Sequence, residues 1–235
     1  MAGSLMRSLD AGYTALVIGA SGGIGRALAD QFAQDGNCAR VVRLSRRKDG
    51  LDITDEETVL SAAVSLAAEE FDIILCATGA LTIDGVGPEK SIRQISQASM
   101  MAQFAVNAAG PALILKHFAP RLAKRKRVIF AALSARIGSI GDNTLGGWIS
   151  YRSSKAALNQ IVHTAAIEVS RNNPASVLVA VHPGSVMTSL SEPFSSGHER
   201  LEPDDAANRI LRMLDNLQPN DTGGFFAYDG TSILW

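Results

Sequence analysis

Short apolar runs alternate along the chain with longer segments whose apolar residues return every three or four positions. TALVIG (Thr14 to Gly19), ARVVRLS, FDIILCATG, RVIFAALS, SVLVAVHPG and the closing GGFFAYD are nearly continuous in apolar character, as strands buried on both faces of a sheet are. Between them, the helical period marks Ile24 to Gln34, DEETVLSAAVSLAAEE, a long stretch from about Ser91 to Leu122, the segment from Tyr151 to about Arg171, and Asp204 to Leu217. Gly36-Asn37 ends the first of these helices. Strand and helix in alternation predict a parallel sheet covered on both faces, with right-handed crossovers. No linker-like segment or internal repeat breaks the order, so residues 1–235 read as one doubly wound α/β domain. In such sheets ligands bind outside the carboxyl ends of the strands, near the point where strand order reverses. Residues that follow the strands are therefore the ones to inspect.

Composition removes several classes of function. The 235 residues are 46% hydrophobic and carry a formal net charge of -1, which gives no global attraction to nucleic acid or to an anionic membrane. The run Lys124-Arg125-Lys126-Arg127 directly precedes VIFAAL and reads as a solvated turn before a strand. Cys38 and Cys76 each lie in or beside an apolar run; they form no disulfide framework and suit a reducing compartment. MAGSLMRSLDAG does not read as a signal peptide, and no apolar run reaches the 18 or so residues of a membrane span. A cytoplasmic location is expected. His117, His163, His182 and His198 show no metal-ligand spacing, and no metal is expected.

The first crossover carries the first chemical signal. GASGGIG places Gly19, Gly23 and Gly25 at G-x-x-x-G-x-G spacing between a strand and a helix, related to the G-x-G-x-x-G fingerprint without matching it. Glycine permits the tight turn and a close backbone approach to a pyrophosphate, which a helix N-terminus then favours electrostatically. Ser21 supplies a hydroxyl in the same turn. The end of the second strand, RLSRRK, carries no acid from Gly36 to Lys48, whereas an NAD site usually places one there for the ribose 2′-hydroxyl. Arg46, with Arg47 as the alternative, is placed to meet a 2′-phosphate, so NADP(H) is favoured over NAD(H).

YRSSKAALN sets Tyr151 and Lys155 four residues apart at a helix start, on one face. GASGGIG, Asn107, the Ser134 region, Tyr151-x-x-x-Lys155 and His182-Pro183-Gly184 stand in the order found in short-chain dehydrogenases/reductases, which this chain resembles along nearly its whole length. LSARIGSI and LGGWISYRSSKAALN are similar to the C-factor-like branch and to certain carbonyl reductases. The resemblance implies a Rossmann-like sheet of about seven strands and NADPH-dependent reduction of a small ketone or aldehyde, with Tyr151 as the acid and Lys155 lowering its pKa and holding the nicotinamide ribose. It implies that Asn107 holds a relay water, and that Ser134, or alternatively Ser139, orients the carbonyl, since Ala135 stands where the family commonly has serine. Gly19, Ser21, Gly23, Ile24, Gly25, Arg46, Asp52, Ile53, Gly79, Pro183, Gly184, Val186 and Thr188 are implied to meet the cofactor. CATG replaces the usual Asn-Asn-Ala-Gly. The segment after Thr188, with Leu190 and Phe194, reads as a lid, and a homodimer or homotetramer through the long helices is implied. Two rivals remain: an alcohol dehydrogenase working oxidatively, and a dinucleotide-binding signalling or sensor protein with little turnover.

Overall fold

The strands alternate their side chains between two hydrophobic layers, and those layers define the molecule. The computed structural model describes residues 4–192 and 200–235. In β1 (Tyr13–Ile18), Leu16 and Ile18 enter one layer while Ala15 and Val17 enter the other. The same alternation holds in β3 (Ile73–Cys76), β4 (Val128–Leu133) and β5 (Ser176–His182), the period-two consequence of a pleated strand. With β2 (Cys38–Leu44) and β6 (Phe225–Ala227) they form one all-parallel sheet in the order β2-β1-β3-β4-β5-β6. Among the described residues the sheet has six strands where about seven were implied. Only Ser45 to Gly50 separates β2 from Leu51, far less than the dozen or so residues a parallel crossover needs. A short helix, α2 (Arg46–Asp49), fills that gap instead.

One face is covered by α1 (Gly23–Gln34) and α7 (Pro203–Asn216), through Leu28, Phe32, Ile210 and Leu214. The other is covered by α3 (Glu56–Ser65), α5 (Gly110–Phe118) and α6 (Ile149–Asn172), through Val59, Ile114, Phe118, Leu158 and Val162. The stretch predicted as one long helix is composite. α4 (Gln97–Phe104) begins at Ser96, whose hydroxyl accepts from Ser99 N, and a π-helical turn, Ala105–Ala109, joins it to α5. Gln97–Arg121 is long enough to cross a membrane, and an 18-residue window in it has mean hydropathy 1.3, but Ile114 and Phe118 lie in the core of the sheet.

Strand order reverses between β1 and β3, since the chain leaves β1 for β2 on one side and returns to β3 on the other. The register Ile18↔Cys76 and Cys76↔Ala132 aligns the carboxyl ends of β1, β3 and β4. The turns after these strands therefore open onto one cleft.

Candidate active site

The floor of the cleft is backbone. Gly19 leaves β1 at φ +89, where a Cβ would lie 2.6 Å from Ala77 O; a Cβ on Gly25 would lie 2.2 Å from Gly19 O. Side chains would fill this space, so the turn can enter α1 only with glycine at both places. Gly23 lies against Thr188, and Gly22, extended, precedes the helix without side-chain capping. Free N–H groups at this N-terminus suit a pyrophosphate. The cleft, about 400 Å³, is lined by Gly19, Ser21, Asp52, Ile53 and Gly79, with Arg46 on its rim. Ile24 is half-buried at the start of α1 and does not line it.

Arg46 is the first residue of α2, which Ser45 caps from its hydroxyl. Its side chain is 81% exposed, with Nη1 3.8 Å from Asp52 Oδ2; Arg47 does not line the cleft. The nearest following acid, Asp49, is turned back to accept from Ser45 N and Oγ. Asp52 accepts from Thr54 N and Oγ1, which holds its carboxyl below the usual range. Ile53 packs on Gly110.

At the other end, Gly79 brings three elements together. A Cβ there would lie 3.1 Å from Asn107 Oδ1 and 3.2 Å from Lys155 Nζ. Asn107, fully buried in the π-helical turn, accepts from Ala80 N at 3.0 Å and donates to Ala80 O at 2.8 Å and Gln103 Oε1 at 2.7 Å. The π turn is the distortion that aims it at this loop. Lys155, 3% exposed, donates to Leu133 O at 2.9 Å, and burial lowers its pKa to about 8. Its Nζ lies 5.9 Å from the centre of the Tyr151 ring. Tyr151 is 8% exposed, with Trp148 edge-on at 6.4 Å. Cys76 and Ala77 stand at the positions of the usual asparagines, and Cys76 Sγ meets Thr78 Oγ1 at 3.3 Å.

Two expectations read differently here. Burial pushes Tyr151 up to about 12, so the lowered phenol pKa implied by the resemblance is not a property of the chain by itself. Ser134 faces α6: its hydroxyl donates to Asn159 Oδ1 at 2.6 Å, which ties the end of β4 to the helix one turn beyond Lys155. Ser139 accepts from Asp142 N at 3.0 Å. Neither has a hydrogen bond to Tyr151 among the described residues.

On the far side of the cleft, Pro183 follows β5, and Gly184, at φ +83, packs on Tyr228. Val186 is buried and bridges to Leu201, while Ser191 accepts from Arg200 and donates to Val186 O, folding Thr188 back over Gly23. Leu190 is exposed; Phe194 and His198 lie outside the described residues. Residues not anticipated are Glu89, Trp148, Arg152 and Asn159: Glu89 and Asn159 make contacts to α6 from distant segments, and Arg152 binds the turn of Gly146 and Gly147 that precedes it.

The family model described as short chain dehydrogenase matches residues 13–199. The chain belongs to the short-chain dehydrogenase family. It is 30% identical over 234 residues to 1-hydroxy-2-glutathionyl-2-methyl-3-butene dehydrogenase of Rhodococcus sp. (strain AD45), covering 94% of this chain and 99% of that protein. It is 33% identical over 145 residues to C-signal of Myxococcus xanthus, covering 62% of this chain and 84% of that one. Among solved structures, NADPH-bound carbonyl reductase from chicken fatty liver superposes with a TM-score of 0.81 at 21% identity, with both chains covered in full. This short-chain dehydrogenase is thus an oxidoreductase of the dehydrogenase/reductase type with a Rossmann-like fold.

A buried ammonium opposes folding. With a folded pKa near 8 against 10.5, Lys155 costs about 3 kcal/mol while both states are protonated. The cost is full below about pH 8 and is relieved between pH 8 and 10.5, where only the unfolded chain binds the proton. Lys155→Met should therefore raise the melting temperature at pH 7 by several degrees, and the gap should close towards pH 10.5. Thermal melts across pH 7–10.5 check this; a variant no more stable than the parent at pH 7 contradicts it.

Proposed function

We propose that this short-chain dehydrogenase reduces a small carbonyl compound with NADPH. The observation that carries the reading is the placement of Tyr151 and Lys155 on one face of α6, with Lys155 Nζ beside Gly79 at the end of a glycine-floored cleft. A nicotinamide cofactor, when bound, would supply the hydride that the carbonyl carbon accepts. Tyr151 gives its proton to the carbonyl oxygen, and burial keeps the phenol protonated and ready for that step. Lys155 stabilises the phenolate that results and hydrogen-bonds the ribose. Asn107 holds a water that returns a proton towards Lys155. With the Ser134 hydrogen on Asn159, Tyr151 itself carries most of the carbonyl's orientation, with Ser139 as the remaining hydroxyl.

Gly19, Ser21, Gly23 and Gly25 would receive the pyrophosphate, Asp52 and Ile53 would face the adenine, and Pro183, Gly184, Val186 and Thr188 would meet the nicotinamide side. Arg46 selects the 2′-phosphate. Its exposed guanidinium on the cleft rim, with Asp49 folded back on Ser45, supports NADP(H) over NAD(H). We assign the protein to the cytoplasm. The apolar groove of about 990 Å³ between α5 and α6, lined by Leu115, Ala119, Ile161 and Val169, supports a homodimer or a homotetramer; a solution mass of one chain would remove that element.

The relative named as a dehydrogenase favours one alternative, NAD(P)-linked oxidation of an alcohol. NADPH consumption against a panel of ketones and aldehydes, beside NADP⁺ reduction with the matching alcohols, distinguishes the directions. Tyr151→Phe should slow carbonyl reduction about 100- to 10,000-fold; equal rates in parent and variant would refute the mechanism. Binding of NADPH with no turnover of any carbonyl or alcohol would favour the sensor reading.

Arg46→Ala should raise KM for NADPH about 10- to 100-fold, the worth of a charge-assisted phosphate contact, and leave KM for NADH nearly unchanged. Parallel changes for both cofactors would remove Arg46 from the phosphate site.

A further inference from the structure

We infer that Glu89 is a positioning residue for Tyr151, because its carboxylate and its own carbonyl together hold the start of the helix that carries the acid. The inference rests on the reading of Tyr151 given above. α6 begins in an unusual way. Gly146, Gly147 and Trp148 are successive left-handed residues, at φ 65, 67 and 54. Trp148 stands at the N-cap and its side chain caps nothing. A helix needs its first N–H groups satisfied, and here the acceptors come from the loop between β3 and α4.

Glu89 O accepts from Trp148 N at 2.5 Å, Glu89 Oε2 accepts from Ser150 N at 3.1 Å, and Oε1 accepts from Ser150 Oγ. The side chain is only 6% exposed, a costly place for a carboxylate that lacks donors. Burial works against its ionisation, yet the donors of Ser150 hold its pKa below the usual value. A negative charge at this end also suits the helix dipole. Arg152 completes the arrangement from the opposite side, donating to Gly147 O at 2.9 Å, Gly146 O at 3.1 Å and Ile137 O at 3.3 Å. Glu89 thus binds the N–H groups of this turn while Arg152 binds its carbonyls.

Tyr151 directly follows Ser150, so any roll or fraying of the first turn displaces the phenol before it reaches Lys155, one turn deeper and anchored on Leu133 O. A misplacement on the order of 1 Å can reduce a rate about 100-fold. A cap that served stability alone would move Tm and leave the reaction of the folded protein intact.

The experiment is steady-state reduction of a carbonyl substrate by the full chain, with NADPH binding followed by fluorescence. Glu89→Ala should lower kcat about 10- to 100-fold, with the Kd for NADPH and the KM of the carbonyl within about twofold of the parent, as for an interaction felt in the transition state. Glu89→Gln, which keeps an acceptor for Ser150, should recover most of the loss. A kcat for Glu89→Ala within about twofold of the parent, or a loss that Glu89→Gln does not relieve, overturns the inference. If Glu89→Ala does not fold, Ser150→Ala takes its place, with a smaller fall in kcat expected and an unchanged kcat overturning the inference. If the parent reduces no carbonyl, the functional reading fails separately, and amide exchange over residues 147–155 decides the positioning. Faster exchange in Glu89→Ala there, with α5 unchanged, supports it; an unchanged rate overturns it.

Discussion

The ammonium of Lys155 has to be held inside the protein, at the carboxyl edge of a parallel sheet, and much of the local architecture answers that requirement. Among the described residues it donates a hydrogen bond to Leu133 O, the last carbonyl of β4. Reaching it requires α6 to lie close over the sheet. Gly138 permits this, since a Cβ there would come within 2.9 Å of Lys155. Ser134, through Asn159, fixes the same helix from the strand side. The carbonyl end of β4, the 3₁₀ turn after it and the start of α6 are therefore one unit, and Tyr151 takes its place from that unit.

The rest of the cleft is arranged around the same edge. Because strand order reverses between β1 and β3, two turns diverge there and leave a cleft whose lining includes Gly19, Ser21, Asp52, Ile53 and Gly79. The π-helical turn at Asn107 fits this scheme. From this turn the amide satisfies both the N–H and the carbonyl of Ala80. The loop that presents Gly79 is thereby held against the helix that borders the site. The glycine-floored cleft and Tyr151 are thus both set at the edge of the sheet, with burial keeping the Tyr151 phenol protonated.

Much of this was legible in the sequence, for reasons that are local. Strands buried on both faces read as apolar runs, and the six runs became six strands. Glycine spacing signalled the first crossover, and the four-residue step from Tyr151 to Lys155 fixed their common face. What escaped depends on distant contacts. The seventh strand was an inference from resemblance, and the short link after β2 leaves no room for it. The π turn has no local signature. Glu89 meets Ser150 across 61 positions, and nothing in GPEK announces a helix cap for another segment. The raised Tyr151 pKa of the chain alone follows from the burial that Tyr151 and Lys155 share, a tertiary property with no signal in YRSSK; the lowering that the resemblance implies also calls on an oxidised nicotinamide.

The central claim is that Tyr151 becomes an acid of useful strength only when the cofactor completes the site. The chain has three tyrosines, so the phenol of Tyr151 can be titrated by ultraviolet difference absorbance, with Tyr151→Phe subtracted. Without cofactor its midpoint should lie near pH 12; with NADP⁺ bound it should fall by about 1 to 3 pH units. A midpoint unmoved by NADP⁺, or already near neutrality in the chain alone, would contradict the account.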